Sequence, residues 1–385
     1  MNGRVAAVRE RAKELFQATR QDVRRARHLP GYVYFDPEIY ELEIERIFMR
    51  DWLCVGRIEQ FANPGDYKAM RVAGEPIIIS RDKDNVLRAF SNVCRHRGVE
   101  VAPVGAGHAT QFACPYHGWL YDLEGRLIGA PFSRENEGFD FKNCRLPPVK
   151  LETWVGFIFI NFDPESQSLG RFLDDRGARA AEEFHPERTV IVDEYTFTLD
   201  CNWKFVPENF MDIYHAKAIH GTSFAKHFQM EGFGFQLAPD GRYHAHYTSN
   251  TMAPDGELLF GKMPWLADKP KDFAFTVFLR PNLNFFSRVD MVQPMVCYPL
   301  GPEKTQITAW TQLPIEWQNQ PAFKEKCKVL GDFVRRVLAE DQEMVASLQN
   351  GVHSRAFVPG PTVPLEAAIH HTLNNYVDRL FGPDA

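Results

Sequence analysis

The stretch CNWKFVPENFMDIYHAKAIHG, from Cys201 to Gly221, decides how the rest of the chain is interpreted. It holds Asp212, His215 and His220 in a D-x2-H-x4-H spacing, within an apolar and aromatic setting. On one helix Asp212 and His215 would share a face, and a bend or end near Gly221 would let both imidazoles converge. Two imidazoles and one carboxylate form the donor set that suits non-haem Fe(II). Structural, hydrogen-bonded histidines fit the same spacing, so a second feature is needed to decide.

A second pattern, upstream, has the composition of an iron–sulfur site. The segments C-R-H-R-G (94–98) and C-P-Y-H-G-W (114–119) each bring one cysteine and one histidine. Two thiolates and two imidazoles can hold a Rieske [2Fe–2S] cluster. A structural zinc site uses the same donors, but zinc fingers usually pair both cysteines first and both histidines second. The order found here favours a Rieske cluster bound by Cys94, His96, Cys114 and His117.

In this order and separation, the two motifs resemble those of the catalytic α subunits of Rieske non-haem iron aromatic-ring-hydroxylating oxygenases. The likeness spans nearly the whole chain, and it implies an α+β fold with two domains. Residues 51–163 would form a small all-β Rieske domain, in agreement with short β runs and turn signals in this region. Residues 164–385 would form the catalytic domain, a curved antiparallel sheet flanked by helices (helix-grip, START-like). Residues 1–50 would add an N-terminal helical arm to that catalytic domain.

Two aspartates, Asp212 and Asp341, are candidates for the carboxylate ligand of the iron. The helix predicted over 321–351 has an apolar stripe, and Asp341 falls on it, where a carboxylate is costly unless it is paired or metal-bound. The stripe consists of Leu330, Val334, Val337, Leu338, Val345 and Leu348. Three other acidic residues of this helix, Asp332, Glu340 and Glu343, fall off the stripe and are predicted to be solvated. The family resemblance agrees, so His215, His220 and Asp341 are the predicted metal ligands.

The resemblance also implies a route for electrons. Asp212 would bridge, by hydrogen bonds, a metal-binding histidine to a cluster-binding histidine of an adjacent subunit. Electrons would then pass from His96 or His117, through Asp212 of a neighbour, to His215 or His220. This implies a homotrimer (α3), with or without a β subunit. No G-x-G-x-x-G fingerprint is present, so a separate NAD(P)H reductase, alone or with a ferredoxin, is expected as electron donor.

The composition limits the partners and the compartment. Among 385 residues, 24% are charged and the net charge is −6, which argues against nucleic acid or an anionic membrane as a partner. The seven cysteines are an odd number and scattered, unlike a disulfide framework. No apolar run reaches transmembrane length. We therefore expect a soluble, cytoplasmic protein.

These observations predict a terminal oxygenase that uses O2 and electrons from a separate reductase. Thirty-one phenylalanines and the resemblance favour hydroxylation or dihydroxylation of an aromatic substrate, aromatic acids included. An alternative is oxidative N- or O-demethylation, or oxidation of a quaternary amine held by cation–π contacts. Near the pocket strands, tryptophan is limited to Trp265 and Trp310, so no multi-aromatic cage is evident. The alternatives from other classes are a zinc-stabilised binding protein and a pure Rieske electron carrier.

Overall fold

The computed structural model of the chain describes residues 12–133, 136–224 and 233–383. The chain divides into two compact units: residues 49–172 form one, and the segments up to Phe48 and from Leu173 onward form the other. Of the arm predicted over 1–50, residues 1–11 lie outside the described residues. Helix α1 (Pro37–Glu43) starts at Asp36, whose carboxylate accepts hydrogen bonds from the amides of residues 38 and 39. This cap, with proline at the first helical position, explains why α1 begins there.

The unit of residues 49–172 is built from β-strands, as the short β runs and turn signals predict, and its sheets are antiparallel. Its larger sheet has the spatial order β1-β10-β9-β4-β3-β2-β5, formed by β1 (Leu53–Arg57), β2 (Asp66–Val72), β3 (Glu75–Arg81), β4 (Leu87–Ser91), β5 (Gly105–His108), β9 (Pro148–Trp154) and β10 (Phe157–Asn161). A smaller sheet joins β6 (Phe112–Ala113), β7 (Leu120–Tyr121) and β8 (Leu127–Gly129). Helix α2 (Leu169–Phe172) ends the unit. Of the two Cys/His segments, residues 94–98 follow β4 and residues 114–119 connect β6 to β7.

The other unit contains a seven-stranded antiparallel sheet in the order β11-β17-β16-β15-β14-β13-β12. Its strands are β11 (Thr189–Leu199), β12 (Gln236–Leu237), β13 (Tyr243–Thr248), β14 (Phe273–Leu279), β15 (Leu283–Arg288), β16 (Met291–Gly301) and β17 (Lys304–Pro314). Its later helices are α3 (Arg176–Glu182), α4 (Phe205–Met211), α5 (Ala216–Ile219), α6 (Phe323–Val352) and α7 (Ala367–Phe381). This is the sheet with flanking helices that the resemblance implies.

Helix α6 is amphipathic and packs against β11 and α4. Asp341 lies on its buried side, between the buried Val337 and Val345, as predicted. The prediction for Leu348 is wrong, because this side chain is 50% exposed. Gln349 takes the buried position instead, and its amide oxygen accepts a hydrogen bond from a backbone amide at 2.8 Å, which offsets the cost of burying a polar group.

A search of the described helices found none with the length and apolar character needed to span a lipid bilayer.

Candidate active site

The D-x2-H-x4-H stretch forms two short helices, so the prediction of one continuous helix is wrong. Helix α4 ends just before Asp212, which has extended backbone (φ −80°, ψ 93°). The Asp212 carboxylate accepts hydrogen bonds from the amides of Tyr214 (2.8 Å) and His215 (3.3 Å), a local interaction that competes with helical hydrogen bonds. His215 and His220 then flank the four residues of α5, one at each end.

Three side chains bring their ligand atoms to one point. The Nε2 atoms of His215 and His220 lie 3.3 Å apart, and Oδ1 of Asp341 lies 3.5 Å from the first and 3.0 Å from the second. This Oδ1 atom is buried. Donor atoms in adjacent positions around a metal at about 2.1 Å are themselves about 3 Å apart. The three groups therefore fit the coordination of one metal ion, and Asp212 is not among them.

The charges of these groups hold them together. Burial lowers the pKa of His215, but the carboxylates of Asp212 and Asp341 outweigh it and raise that pKa to about 9. Burial raises the pKa of Asp341, but the two histidines outweigh it and lower that pKa to about 2. Asp341 is thus an ionised carboxylate on a buried helix face. A divalent cation that binds here replaces the proton of His215.

Each histidine has a second carboxylate behind its ring. Asp212 Oδ2 lies 3.3 Å from Nδ1 of His215, and Glu340 Oε2 accepts a hydrogen bond from Nδ1 of His220 at 2.8 Å. The same Glu340 oxygen accepts a hydrogen bond from the Ser223 hydroxyl at 2.6 Å. Such partners fix the ring orientation and the tautomer of a metal-binding histidine. The prediction that Glu340 is solvated is therefore wrong, whereas Glu343 is exposed as predicted.

A cavity of about 110 Å³ lies next to these ligands. Its walls come from α4, the segment after it, strands β13 to β16 and α6, and they are mainly apolar. The aromatic residues that line it are Phe210, Phe224, Phe233, Phe235, Tyr247 and Phe286. Three residues flank the metal ligands in sequence. Of these, Asn209 lines the cavity, Tyr214 is 58% exposed, and Glu208 accepts a hydrogen bond from the Tyr34 hydroxyl at 3.1 Å. The lining of the cavity is therefore suited to a mostly apolar molecule.

The four predicted cluster ligands come together in the other unit. Cys94 and Cys114 are buried, and the Nδ1 atoms of His96 and His117 lie 3.0 Å apart, at the surface. The two loops close in the same way. In each, the amide of the glycine four residues after the cysteine donates to the cysteine carbonyl at 3.0 Å. These glycines, residues 98 and 118, have φ of +78° and +67°, where a side chain would be strained.

Two aromatic residues next to the cluster ligands are given no role in the sequence predictions, although Trp119 ends the second Cys/His segment. The Tyr121 hydroxyl accepts a hydrogen bond from the Arg95 amide at 3.0 Å and lies 3.3 Å from Sγ of Cys94. Its proton is therefore available to the sulfur. The Trp119 ring is stacked on His96, with ring centroids 5.1 Å apart. Both aromatics follow Cys114 within seven residues, but only the β6–β7 hairpin brings Tyr121 back to Cys94.

Two family models match the chain. Residues 51–149 match the Rieske [2Fe–2S] domain, and residues 180–382 match the catalytic domain of the ring hydroxylating alpha subunit. The chain belongs to the Rieske non-haem iron oxygenases. The predicted family, fold class and enzyme class are thereby confirmed, as are a [2Fe–2S] cluster and a mononuclear iron as cofactors. Members of this family receive electrons from separate donors and form multimers.

Relatives of this oxygenase differ in their substrates. It is 31% identical to the carnitine monooxygenase oxygenase subunit of Escherichia coli (strain K12), over 86% of this chain and 85% of that protein. It is 32% identical to the 2-aminobenzenesulfonate 2,3-dioxygenase subunit alpha of Alcaligenes sp., over 74% of each chain. A solved quaternary ammonium Rieske monooxygenase superposes with a TM-score of 0.79 at 25% identity, covering 97% of this chain and 98% of that one. Both of the predicted substrate types therefore occur among the relatives.

Proposed function

We propose that this chain is a terminal oxygenase that hydroxylates or dihydroxylates an aromatic substrate with O2 and electrons from a separate NAD(P)H reductase. The observation that carries this proposal is the convergence of His215, His220 and Asp341 beside a cavity lined by aromatic rings. Iron bound there supplies O2 activation. The apolar walls exclude bulk water and hold the substrate ring beside the metal.

We assign a role to each site residue on the same geometry. His215, His220 and Asp341 hold the mononuclear iron, since their three ligand atoms all lie within 4.8 Å of one another. Residues 51–163 act as the electron-transfer domain, in which the cluster is bound by the thiolates and imidazoles of Cys94, His96, Cys114 and His117. Residues 164–385, together with the arm at 1–50, act as the catalytic domain.

Asp212 orients His215 and links it to the neighbouring cluster in this proposal. Its Oδ2 atom lies 3.3 Å from Nδ1 of His215, and its side chain is 23% exposed, so a second subunit could reach it. In this proposal the exposed His96–His117 pair of one subunit passes electrons to Asp212 of its neighbour. We accordingly propose a homotrimer, either alone or with a β subunit. Because none of the seven cysteines, all of which lie in the described part of the chain, forms a disulfide, we propose that it acts in a reducing compartment, the cytoplasm.

The choice of an aromatic substrate rests on the cavity. Five phenylalanines and Tyr247 line it, and no tryptophan is among the described residues that do so. The indole of Trp310, on β17, donates a hydrogen bond to Glu194 at 2.9 Å. The second candidate is oxidation of a quaternary amine or oxidative N- or O-demethylation. It is favoured by the likeness to the carnitine monooxygenase subunit and to the quaternary ammonium monooxygenase.

The test is a turnover assay with ¹⁸O2, NADH and a Rieske reductase, in which benzoate, naphthalene and a trimethylammonium substrate compete. The proposal predicts label in a phenol or cis-diol from an aromatic ring. Exclusive formation of a demethylated or cleaved amine would replace it with the second candidate. Omitting the reductase must abolish turnover. Product formation by the chain with NADH alone would contradict the need for a donor.

A further inference from the structure

One buried cation lines the cavity beside the candidate iron site. Arg288 ends β15 and is only 5% exposed. Its Nε donates to the Asn250 carbonyl at 3.0 Å, and its Nη1 lies 3.5 Å from Oε1 of Gln293. Over the parts of the chain that the structure describes, no carboxylate forms an ion pair with this guanidinium. Among the described residues, neutral oxygens hold Arg288 in place, and no carboxylate within ion-pair distance balances its charge.

A second buried arginine in the same unit has its charge balanced by carboxylates. Arg242 is also buried, and it forms ion pairs with Asp175 at 2.5 Å and with Asp240 at 2.6 Å. Asp290, two residues after Arg288, does not play this part. Its carboxylate accepts a hydrogen bond from the Thr251 hydroxyl instead, and burial raises the pKa of the Asp290 carboxyl against the lowering effects of Thr251 and Arg288. A buried charge that has no ion-pair partner in the described part of the chain is costly, so this side of the cavity is suited to bind an anion.

Arg288 and the candidate iron ligands border the same space. The guanidinium carbon lies 5.9 Å from the centroid of the Phe224 ring, and the His220 ring lies 4.8 Å from the same ring. Along β15, Phe286 and Arg288 are two residues apart, so both face the cavity. Gln293 lies opposite Phe286 on the next strand. A molecule in the cavity thus meets one cation, several aromatic rings and the metal site.

We propose that Arg288 binds an anionic group of the substrate, and that the substrate is an aromatic carboxylate. This inference rests on the proposed function and narrows it from aromatic compounds to aromatic acids. A guanidinium has five N–H donors, so the donors beyond those held by Asn250 and Gln293 can pair with both oxygens of a carboxylate. A sulfonate offers related oxygens. A quaternary ammonium ion that lacks an acid group meets a like charge.

The test measures binding to the holoenzyme by isothermal titration calorimetry, with four small probes of similar size. These are benzoate, benzenesulfonate, benzamide and phenyltrimethylammonium. Charge-assisted hydrogen bonds make benzoate bind roughly 10- to 100-fold more tightly than benzamide. Arg288→Met removes most of this difference, whereas Arg335→Met, which changes a half-exposed arginine outside the cavity, leaves it unchanged. The relative affinity of benzoate and benzenesulfonate identifies which anion the site prefers.

Equal binding of benzoate and benzamide, tighter binding of phenyltrimethylammonium, or no measurable binding of either anion would overturn the inference. These comparisons use the unmodified chain, so they stand even if Arg288→Met does not fold. The proposed function fails separately. Anion-selective binding without any oxygenated aromatic product would contradict the proposed function but not the role of Arg288. Equal kcat/KM for neutral and anionic aromatic substrates would contradict the role of Arg288 but not the proposed function.

Discussion

Glu340 is expected to control how tightly the mononuclear site holds iron. Its Oε2 atom accepts hydrogen bonds from Nδ1 of His220 at 2.8 Å and from the Ser223 hydroxyl at 2.6 Å. With Nδ1 as the donor, the free Nε2 atom of His220 points toward Asp341. Glu340→Ala removes the acceptor that fixes this tautomer and ring orientation. We expect weaker binding of Fe(II) with little change in the fold.

The magnitude follows from the one interaction that is lost at His220. A hydrogen bond to a charged group contributes about 1.5–3 kcal/mol, which corresponds to roughly a 10- to 150-fold change in a dissociation constant. Removal of such partners from metal-binding histidines costs about 10- to 100-fold in affinity, which agrees with this range. Glu340→Gln keeps a neutral acceptor and should fall between the wild type and Glu340→Ala.

The assay is an anaerobic Fe(II) titration of chain whose mononuclear site has been stripped, with the sulfide content recorded as a measure of the intact cluster. Glu343→Ala is the matched control, because Glu343 is on the same helix and exposed. An unchanged affinity in Glu340→Ala would refute the reasoning. An equal loss of Fe(II) affinity in Glu343→Ala would also refute it, because the effect would then come from the net charge of the helix and not from the contact with His220.

Three further predictions concern other residues. Asp212→Ala should retain both metal centres when Fe(II) is supplied in excess, by iron analysis, and lower reductase-coupled product formation by about 10- to 100-fold; wild-type coupled turnover would exclude the route through Asp212. Tyr121→Phe removes the hydroxyl 3.3 Å from Sγ of Cys94 and should lower the cluster reduction potential by roughly tens of millivolts in a spectroelectrochemical titration, and an unchanged potential would contradict that contact. Burial raises the pKa of Glu208 to about 7 from 4.5, so the folded chain keeps a proton there that the unfolded chain releases. Stability should therefore fall as pH rises from about 5 to about 7, and Glu208→Gln should flatten this slope of Tm against pH; equal slopes would refute the assignment.

The sequence was sufficient where the chemistry depends on local spacing. The Cys/His segments around His96 and His117 form tight loops because each closes on itself within five residues. Asp341 could be singled out because a carboxylate on an apolar helix stripe requires a partner. These features depend on neighbours in the chain, and the structure brings the ligand atoms of His215, His220 and Asp341 within 4.8 Å of one another.

Features that depend on distant contacts could not be predicted in this way. The break between Asp212 and His215 depends on a carboxylate that bonds to nearby amides, which an apolar pattern does not reveal. Glu340 lies off the stripe of α6 and reaches His220 only because the segment containing α5 passes beside it. Arg288 was not singled out at all, because its position beside Phe224 depends on the register of β15 within the sheet.

The most direct test of the assigned iron site is the count of iron and acid-labile sulfide per chain, in the wild type and in Asp341→Ala. The account predicts about three irons and two sulfides for the wild type, with the reduced-cluster EPR signal of a Rieske centre. It predicts about two irons, two sulfides and the same signal for Asp341→Ala. Three irons in Asp341→Ala, or zinc in place of iron in the wild type, would contradict the assignment.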